Sequence, residues 1–213
     1  MNFLPDKIER YAAEHSQKES VLLEELYKET WQKALVPRMI SGHFQGRVLS
    51  MISKLTRPES ILEIGTYTGY SALCLAEGLE KNGILHTIDH NEELYDLQKK
   101  YFDRSAFKDQ IKQYTGEALE IIQQLEGPFD LVFIDADKSN YSNYFHAVID
   151  KMNSGAVILS DNVLWSGKVI EIPKEKDEDT KALMDYNKMI NEDPRLETVL
   201  LPIRDGLTIS RVV

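Results

Sequence analysis

The sequence predicts an α/β protein built on a doubly wound, mostly parallel sheet, with helices in front of it. Three observations carry that expectation. From about residue 60 onward, short β-branched runs alternate with helical periodicity, the pattern of repeated β-α-β units. The runs read as apolar throughout, as strands do when helices cover both sheet faces. The last two runs are separated only by Arg204-Asp205-Gly206, and an Asp-Gly turn of that length joins antiparallel neighbours. The final strand is therefore expected to run against the others.

Residues 1–56 read as a helical extension. Ile8, Tyr11 and Ala12 recur at helical spacing, as do Val21, Leu22, Glu25 and Leu26. Pro37 and Gly42 interrupt, and Phe44, Val48, Leu49 and Ile52 mark a further amphipathic helix ending before Pro58. The expected strands are Ile61–Ile64, Ile84–Ile88, Ile111–Tyr114, Leu131–Ile134, Ala156–Leu159, Val199–Ile203 and Leu207–Val212. Helices are expected near 70–81, 92–103, 117–125 and 140–152, with 174–179 a solvated loop or helix start. Trp31, Met39 and Phe44, at helical or near-helical spacing, read first as core.

The 213 residues suit one large α/β domain, so the chain is read as a single unit over 1–213. Charge is acidic, 25 Lys+Arg against 35 Asp+Glu for a net of −10, which argues against a broad nucleic-acid surface. The one cysteine, Cys74, lies in an apolar run and reads as a buried small hydrophobe. No apolar run approaches the ~20 residues that span a bilayer, and no signal peptide is evident. A cytoplasmic protein without membrane partners is the expectation.

Two constellations carry chemistry. The first is Ile61-Leu62-Glu63-Ile64-Gly65-Thr66-Tyr67-Thr68-Gly69-Tyr70-Ser71, a strand, a glycine turn and a helix start. Its glycines let backbone pass close to a ligand, although such a turn also serves as a plain tight connection. The next strand ends at Asp89, which suits ribose hydroxyls or, alternatively, the N-cap of the following helix. Glu63, on an apolar strand, is costly to bury unless a cationic or hydrogen-bonding ligand meets it.

The second constellation lies at two other strand ends, Asp135-Ala136-Asp137-Lys138 and Ser160-Asp161-Asn162. Parallel α/β sheets bind ligands beyond the carboxyl ends of their strands. Asp135, Asp161 and Asn162 are then expected to converge as a hard-oxygen set for Mg²⁺, with Mn²⁺ or Ca²⁺ as alternatives. Taken singly, each reads equally well as a cap or a turn residue.

With these residues in view, the chain resembles the cation-dependent O-methyltransferases, the family that includes the catechol and caffeoyl-coenzyme A enzymes. The matching segments are LEIGTYTGYSAL (62–73), TIDHNEE (87–93), FIDADKSNY (133–141), LSDNVLWSGKV (159–169) and DYNKMINEDPRLETVLLPIRDGLTISR (185–211). The likeness runs from about residue 37 to the C-terminus and is nearest to the caffeoyl-coenzyme A branch and its bacterial relatives. It implies a class I methyltransferase sheet of Rossmann-like form, S-adenosylmethionine as methyl donor, and a divalent ion held by Asp135, Asp161 and Asn162. It also implies Lys138 as general base beside Asp135, and Met39, Ser41, Glu63, Gly65, Tyr67, Ser71, Asp89, Ala118, Asp135 and Asp137 around the cofactor. Trp165 would border the pocket of a small-molecule hydroxyl acceptor, and a homodimer is expected.

The family usually carries Gly-Asp-Gly where this chain has Arg204-Asp205-Gly206. Some bacterial relatives methylate a hydroxylated uridine in tRNA, so a tRNA acceptor is the alternative. It would need a cationic rim, for which Arg38, Arg47, Lys54 and Arg57 are the candidates.

Overall fold

A computed structural model describes residues 5–213; the first four residues of the expected helical extension lie outside the described ones. Its strands are β1 (Ser60–Ile64), β2 (Ile84–Asp89), β3 (Ile111–Thr115), β4 (Phe129–Ile134), β5 (Met152–Asp161), β6 (Leu196–Leu201) and β7 (Leu207–Val212). They form one sheet in the order β3-β2-β1-β4-β5-β7-β6. Parallel pairing links β3 to β2, β2 to β1, β1 to β4 and β4 to β5. β7 inserts antiparallel between β5 and β6, which is the reversed final strand that the Asp-Gly turn predicted.

The helices are α1 (Asp6–Glu14), α2 (Val21–Lys33), α3 (Gly42–Thr56), α4 (Tyr70–Ala76), α5 (Tyr95–Arg104), α6 (Ala118–Gln124), α7 (Tyr141–Ile149) and α8 (Glu178–Glu192). Two apolar clusters form on the sheet. One joins Leu23, Leu26 and Leu49 of the leading helices to Leu73, Leu75, Leu131 and Leu159. The other joins Ile64, Val132 and Ile158 to Phe145, Val148, Leu183 and Tyr186. The alternate residues of β1, β4 and β5 thus face opposite layers, which is why those strands are apolar along their length.

Several expectations need correcting. α8 was foreseen only as a possible start near 174–179, yet it runs to Glu192; Leu183, Tyr186 and Ile190 form its buried stripe, and Asp177 caps its N-terminus. β6 begins at Leu196 rather than Val199, and the connection to β7 takes residues 202–206, because Pro202 brings no ladder N–H and Ile203 turns out of the strand. β3 is an edge strand, IKQYT, with Lys112 and Thr115 exposed and none of its residues fully buried, so it is not continuously apolar. Trp31 and Met39 are not core: they are 50% and 58% exposed. Of the expected α3 stripe Leu49 is fully buried and Val48 and Ile52 pack partly against the core, but the rest of the buried face is Gln45, Gly46, Ser50 and Ser53. A Cβ at Gly46 would lie 2.7 Å from the Tyr70 ring and 2.9 Å from Cys74 Sγ, so small residues let α3 close on α4. Cys74 is buried and free, with its thiol pushed up to about 12 by burial.

Candidate active site at the carboxyl edge of the sheet

β1, β2, β4 and β5 end side by side, and the candidate residues leave the sheet at those ends. Gly65 follows β1, Asp89 closes β2, Asp135 follows β4, and Asp161 closes β5. Gly65 N donates to Ile88 O at 2.9 Å and Asp135 N to Ile64 O at 2.9 Å, so the turns continue the sheet's own ladder. Gly65 has φ +102, and a Cβ there would stand 1.9 Å from the Asp135 carbonyl oxygen. Only glycine permits that approach of the two constellations.

Met39, Ser41, Gly65, Tyr67, Ser71 and Asp135 line one small cavity of about 10 Å³ between the glycine turn and the segment ahead of α3. Tyr67 spans the two sides: its hydroxyl donates to Val36 O at 2.9 Å, and its backbone N–H donates to Asp89 Oδ2 at 2.6 Å. Asp89 Oδ1 accepts from Asn91 N at 2.8 Å, so the acid also fixes the loop after β2, but the helix cap there is Asn91, whose side chain accepts from Glu93 N, and not Asp89. Ala118 opens α6 just beyond Gly116, whose N–H bonds Asp89 O at 2.9 Å. Asp137 is exposed and turned toward α7, where Asn140 Nδ2 donates to it at 2.6 Å and Tyr144 hydroxyl also bonds it.

Glu63 lies beneath this cavity and is fully buried. Thr87 hydroxyl donates to Oε2, while Oε1 has no hydrogen-bond partner. Burial pushes its carboxyl up to about 8, against the pull of the Ser71 and Thr87 hydroxyls. An orphaned carboxylate oxygen under a ligand-sized turn fits a group that brings its own donors or positive charge.

In the second constellation Asp135 and Asn162 meet at Lys138. Lys138 Nζ lies 3.2 Å from Asp135 Oδ1 and 3.2 Å from Asn162 Oδ1, which brings oxygens of both chain segments around one point. Asp161 is buried; its Oδ2 accepts from Gln45 Nε2 at 2.6 Å and its Oδ1 from Asn162 N at 2.8 Å. Burial, then the charge of Asp135, push the Asp161 carboxyl upward. Two acids forced together out of water, with an amide oxygen beside them, suit a hard divalent cation. Among the described residues no cluster of three or more His, Cys, Asp or Glu that could hold a metal ion forms.

Two residues of this edge escaped the sequence reading. Tyr141 is fully buried; its hydroxyl accepts from Lys138 Nζ at 2.6 Å and donates to Asp161 O at 2.8 Å, tying Lys138 to the end of β5. Gln45 reaches across from α3, and its signal was a glutamine inside a buried helical face. Trp165 lies at the same edge: Lys138 Nζ is 5.8 Å from its ring, and its indole N–H is buried without an acceptor. Asn162, Trp165, Ser166 and Arg204 all have positive φ, a concentration of backbone strain typical of functional edges.

Three of the four rim candidates are engaged by acids: Arg47 and Lys54 both close on Glu77, and Arg57 pairs with Glu80, while Arg38 forms no ion pair among the described residues. Among the described residues, no helix is long and apolar enough to cross a membrane.

Comparison with known proteins agrees with this architecture. The O-methyltransferase family profile matches residues 13–213. Caffeoyl-CoA O-methyltransferase 1 of Eucalyptus globulus is 36% identical over 183 residues, covering 81% of this chain and 74% of that one. The SAH-bound O-methyltransferase of Bacillus cereus superposes with a TM-score of 0.89 at 29% identity, over 97% of both chains. The SAM complex of TomG from Streptomyces achromogenes, 26% identical, gives a TM-score of 0.88 over 97% of this chain and 96% of that one. By the extent of these matches, the chain belongs to the O-methyltransferase family.

Proposed function

We propose that this chain transfers a methyl group from S-adenosylmethionine to one hydroxyl of a catechol-like small molecule, with a divalent cation at Asp135, Asp161 and Asn162. The enzyme class, an S-adenosylmethionine-dependent O-methyltransferase, follows from the family; the ion and the diol are the finer reading. The observation that carries them is the meeting of Asp135 and Asn162 oxygens at Lys138 Nζ, with Asp161 buried alongside. We read residues 1–213 as one methyltransferase domain and the protein as a cytoplasmic homodimer, Mg²⁺ being the preferred ion.

Methyl transfer from a sulfonium is an in-line displacement, so the protein's main tasks are alignment and preparation of the nucleophile. Glu63, Ser71 and Asp89 supply acceptors and donors for the cofactor's polar groups, and Tyr67 with Met39 and Ser41 covers it from the α3 side. The ion, when bound, supplies Lewis acidity toward the acceptor hydroxyl. Lys138, which donates to Asp135, Asn162 and Tyr141 in this structure, would first have to give up a proton of its own and would then accept the hydroxyl proton at Nζ, with Tyr141 holding that nitrogen in place. Trp165 forms an aromatic wall of the acceptor pocket. The tRNA alternative draws no support, because Arg47, Lys54 and Arg57 are engaged with acids.

Substituting Asp161 by Ala tests the ion. Catechol methylation with 5 mM added Mg²⁺ should fall by roughly 10²- to 10³-fold, and binding of Mn²⁺ followed by electron paramagnetic resonance should weaken with it. Wild-type turnover that survives exhaustive chelation would remove the ion from the reaction.

A further inference from the structure

We propose that Arg204 recognises a carboxylate carried by the acceptor, so that the preferred substrate class is an anionic vicinal diol. The inference rests on the O-methyltransferase reading above and deepens it by naming what lies at the far end of the acceptor.

Arg204 has φ +47, a left-handed conformation in which an arginine is strained and glycine is not. The turn that imposes it is pinned to the chain segment carrying Asn162 and Trp165. Leu164 N donates to Asp205 O at 2.9 Å, Val163 N to Gly206 O at 3.3 Å, and Ser166 N to Asp205 Oδ1 at 2.5 Å. Arg204 is therefore fixed to the same body as a candidate ion ligand and the wall of the acceptor pocket. Asp205, its nearest acid in sequence, is already occupied by the Ser166 backbone.

The guanidinium is half-buried and reaches the opposite side of the site, where Nη1 donates to Ile40 O at 3.1 Å. That bond engages one of the five N–H groups of an arginine. Among the described residues, no carboxylate lies within ion-pair distance of it. Several other cations of the chain pair locally: Arg47 and Lys54 with Glu77, Arg57 with Glu80, Arg104 with Glu25, Arg195 with Asp193 and Arg211 with Glu197. Arg204 instead stands near the catalytic edge, close enough for its charge to act on both Asp161 and Asp205. Its remaining donors form the planar fork that a carboxylate matches in bidentate fashion.

The experiment compares 3,4-dihydroxybenzoate with catechol as acceptors for the wild type, Arg204→Gln and Arg204→Gly. The glycine variant relaxes the left-handed residue, so its melting temperature serves as the check that the turn still folds. Wild type should favour the carboxylate-bearing diol. In both variants the ratio of kcat/KM for dihydroxybenzoate to that for catechol should fall by about 10- to 100-fold, mostly through KM, as loss of a charge-assisted hydrogen bond implies. An unchanged ratio, with both acceptors losing rate together, would make Arg204 a mere tether of the Ile40 carbonyl and overturn the proposal. Wild-type methylation of catechol in preference to dihydroxybenzoate would overturn this inference while leaving the methyltransferase reading intact. Methylation of neither diol would overturn the diol reading and, with it, this one.

Discussion

Glu63 is the residue whose environment most conflicts with its chemistry. It sits on a central strand, wholly buried, with one carboxylate oxygen unbonded. Its carboxyl rises from the ordinary 4.5 to about 8, chiefly through burial. Between those values the folded protein retains a proton that the unfolded chain has released. Stability therefore falls as pH rises through this window, and the loss is complete above about 8. Glutamine cannot ionise and escapes that loss. Cofactor-free Glu63→Gln should gain on wild type progressively from pH 5 to pH 8, reaching roughly 4 kcal/mol in urea titrations. A difference that stays flat with pH would mean that Glu63 is ionised in the fold. The sequence made this residue conspicuous because a lone acid interrupted an apolar run. It gave no such sign for Tyr141, whose hydroxyl bonds across to Lys138 and Asp161, since a tyrosine at a helix start is ordinary. For Asp137 the local neighbours Asn140 and Tyr144 decide the side chain's direction, and spacing alone does not reveal them.

Among the elements, α3 and α4 show how a leading helix is attached to the sheet. Glu77, just past α4, receives Arg47 Nη1 at 3.0 Å and Nη2 at 2.8 Å, Ser50 hydroxyl at 2.7 Å and Lys54 Nζ at 2.7 Å, all from α3. Burial would raise its carboxyl, but these donors outweigh burial and bring it to about 2. The resulting stability is fully present above the ordinary 4.5 and is lost as pH falls toward 2. Glu77→Gln should cost about 2 kcal/mol at pH 7 by urea denaturation, with the deficit shrinking toward zero near pH 2. An equal deficit at pH 7 and pH 2.5 would assign the cost to packing. Elements with a strong apolar period were legible: α1, α2, α3, α5 and the four central strands fall where the sequence places them. α8 escaped because its stripe of Leu183, Tyr186 and Ile190 is diluted by eight charged or amide side chains. Part of the facing of α3 escaped for a different reason. Its tightest contacts use Gly46, Ser50 and Ser53, which a hydrophobic period does not register.

At the scale of the whole molecule, the sheet's polarity decides which of two concavities matters. The larger, about 990 Å³, opens at the amino ends of β1, β2 and β4 and is lined by Arg57, His86, Asp130, Ser154 and Arg211 among others. β5 bulges there, since Phe129 pairs with Met152 while Leu131 pairs with Val157. One of its three acids is spent on structure: Asp130 Oδ2 accepts from Glu59 N at 2.8 Å and Ser60 N at 3.0 Å. The small cavity at the carboxyl ends holds the glycine turn and Asp135, with Asp161, Lys138 and the orphaned Glu63 oxygen adjoining. Parallel strands place their loops and ligand-binding groups at that end, so size is the weaker guide and convergence of chemistry the stronger. A bulky residue in the large cleft should therefore be tolerated. Ser154 is exposed on the β5 bulge, remote in the sheet from Asp161 at the other end of the same strand. Ser154→Trp should keep kcat/KM for catechol within about twofold of wild type and change stability by no more than ~0.5 kcal/mol. Steady-state kinetics and a thermal melt read both. A tenfold fall in kcat/KM at unchanged melting temperature would move the acceptor to the amino edge, and the reading built on Asp135, Asp161 and Asn162 would fall with it.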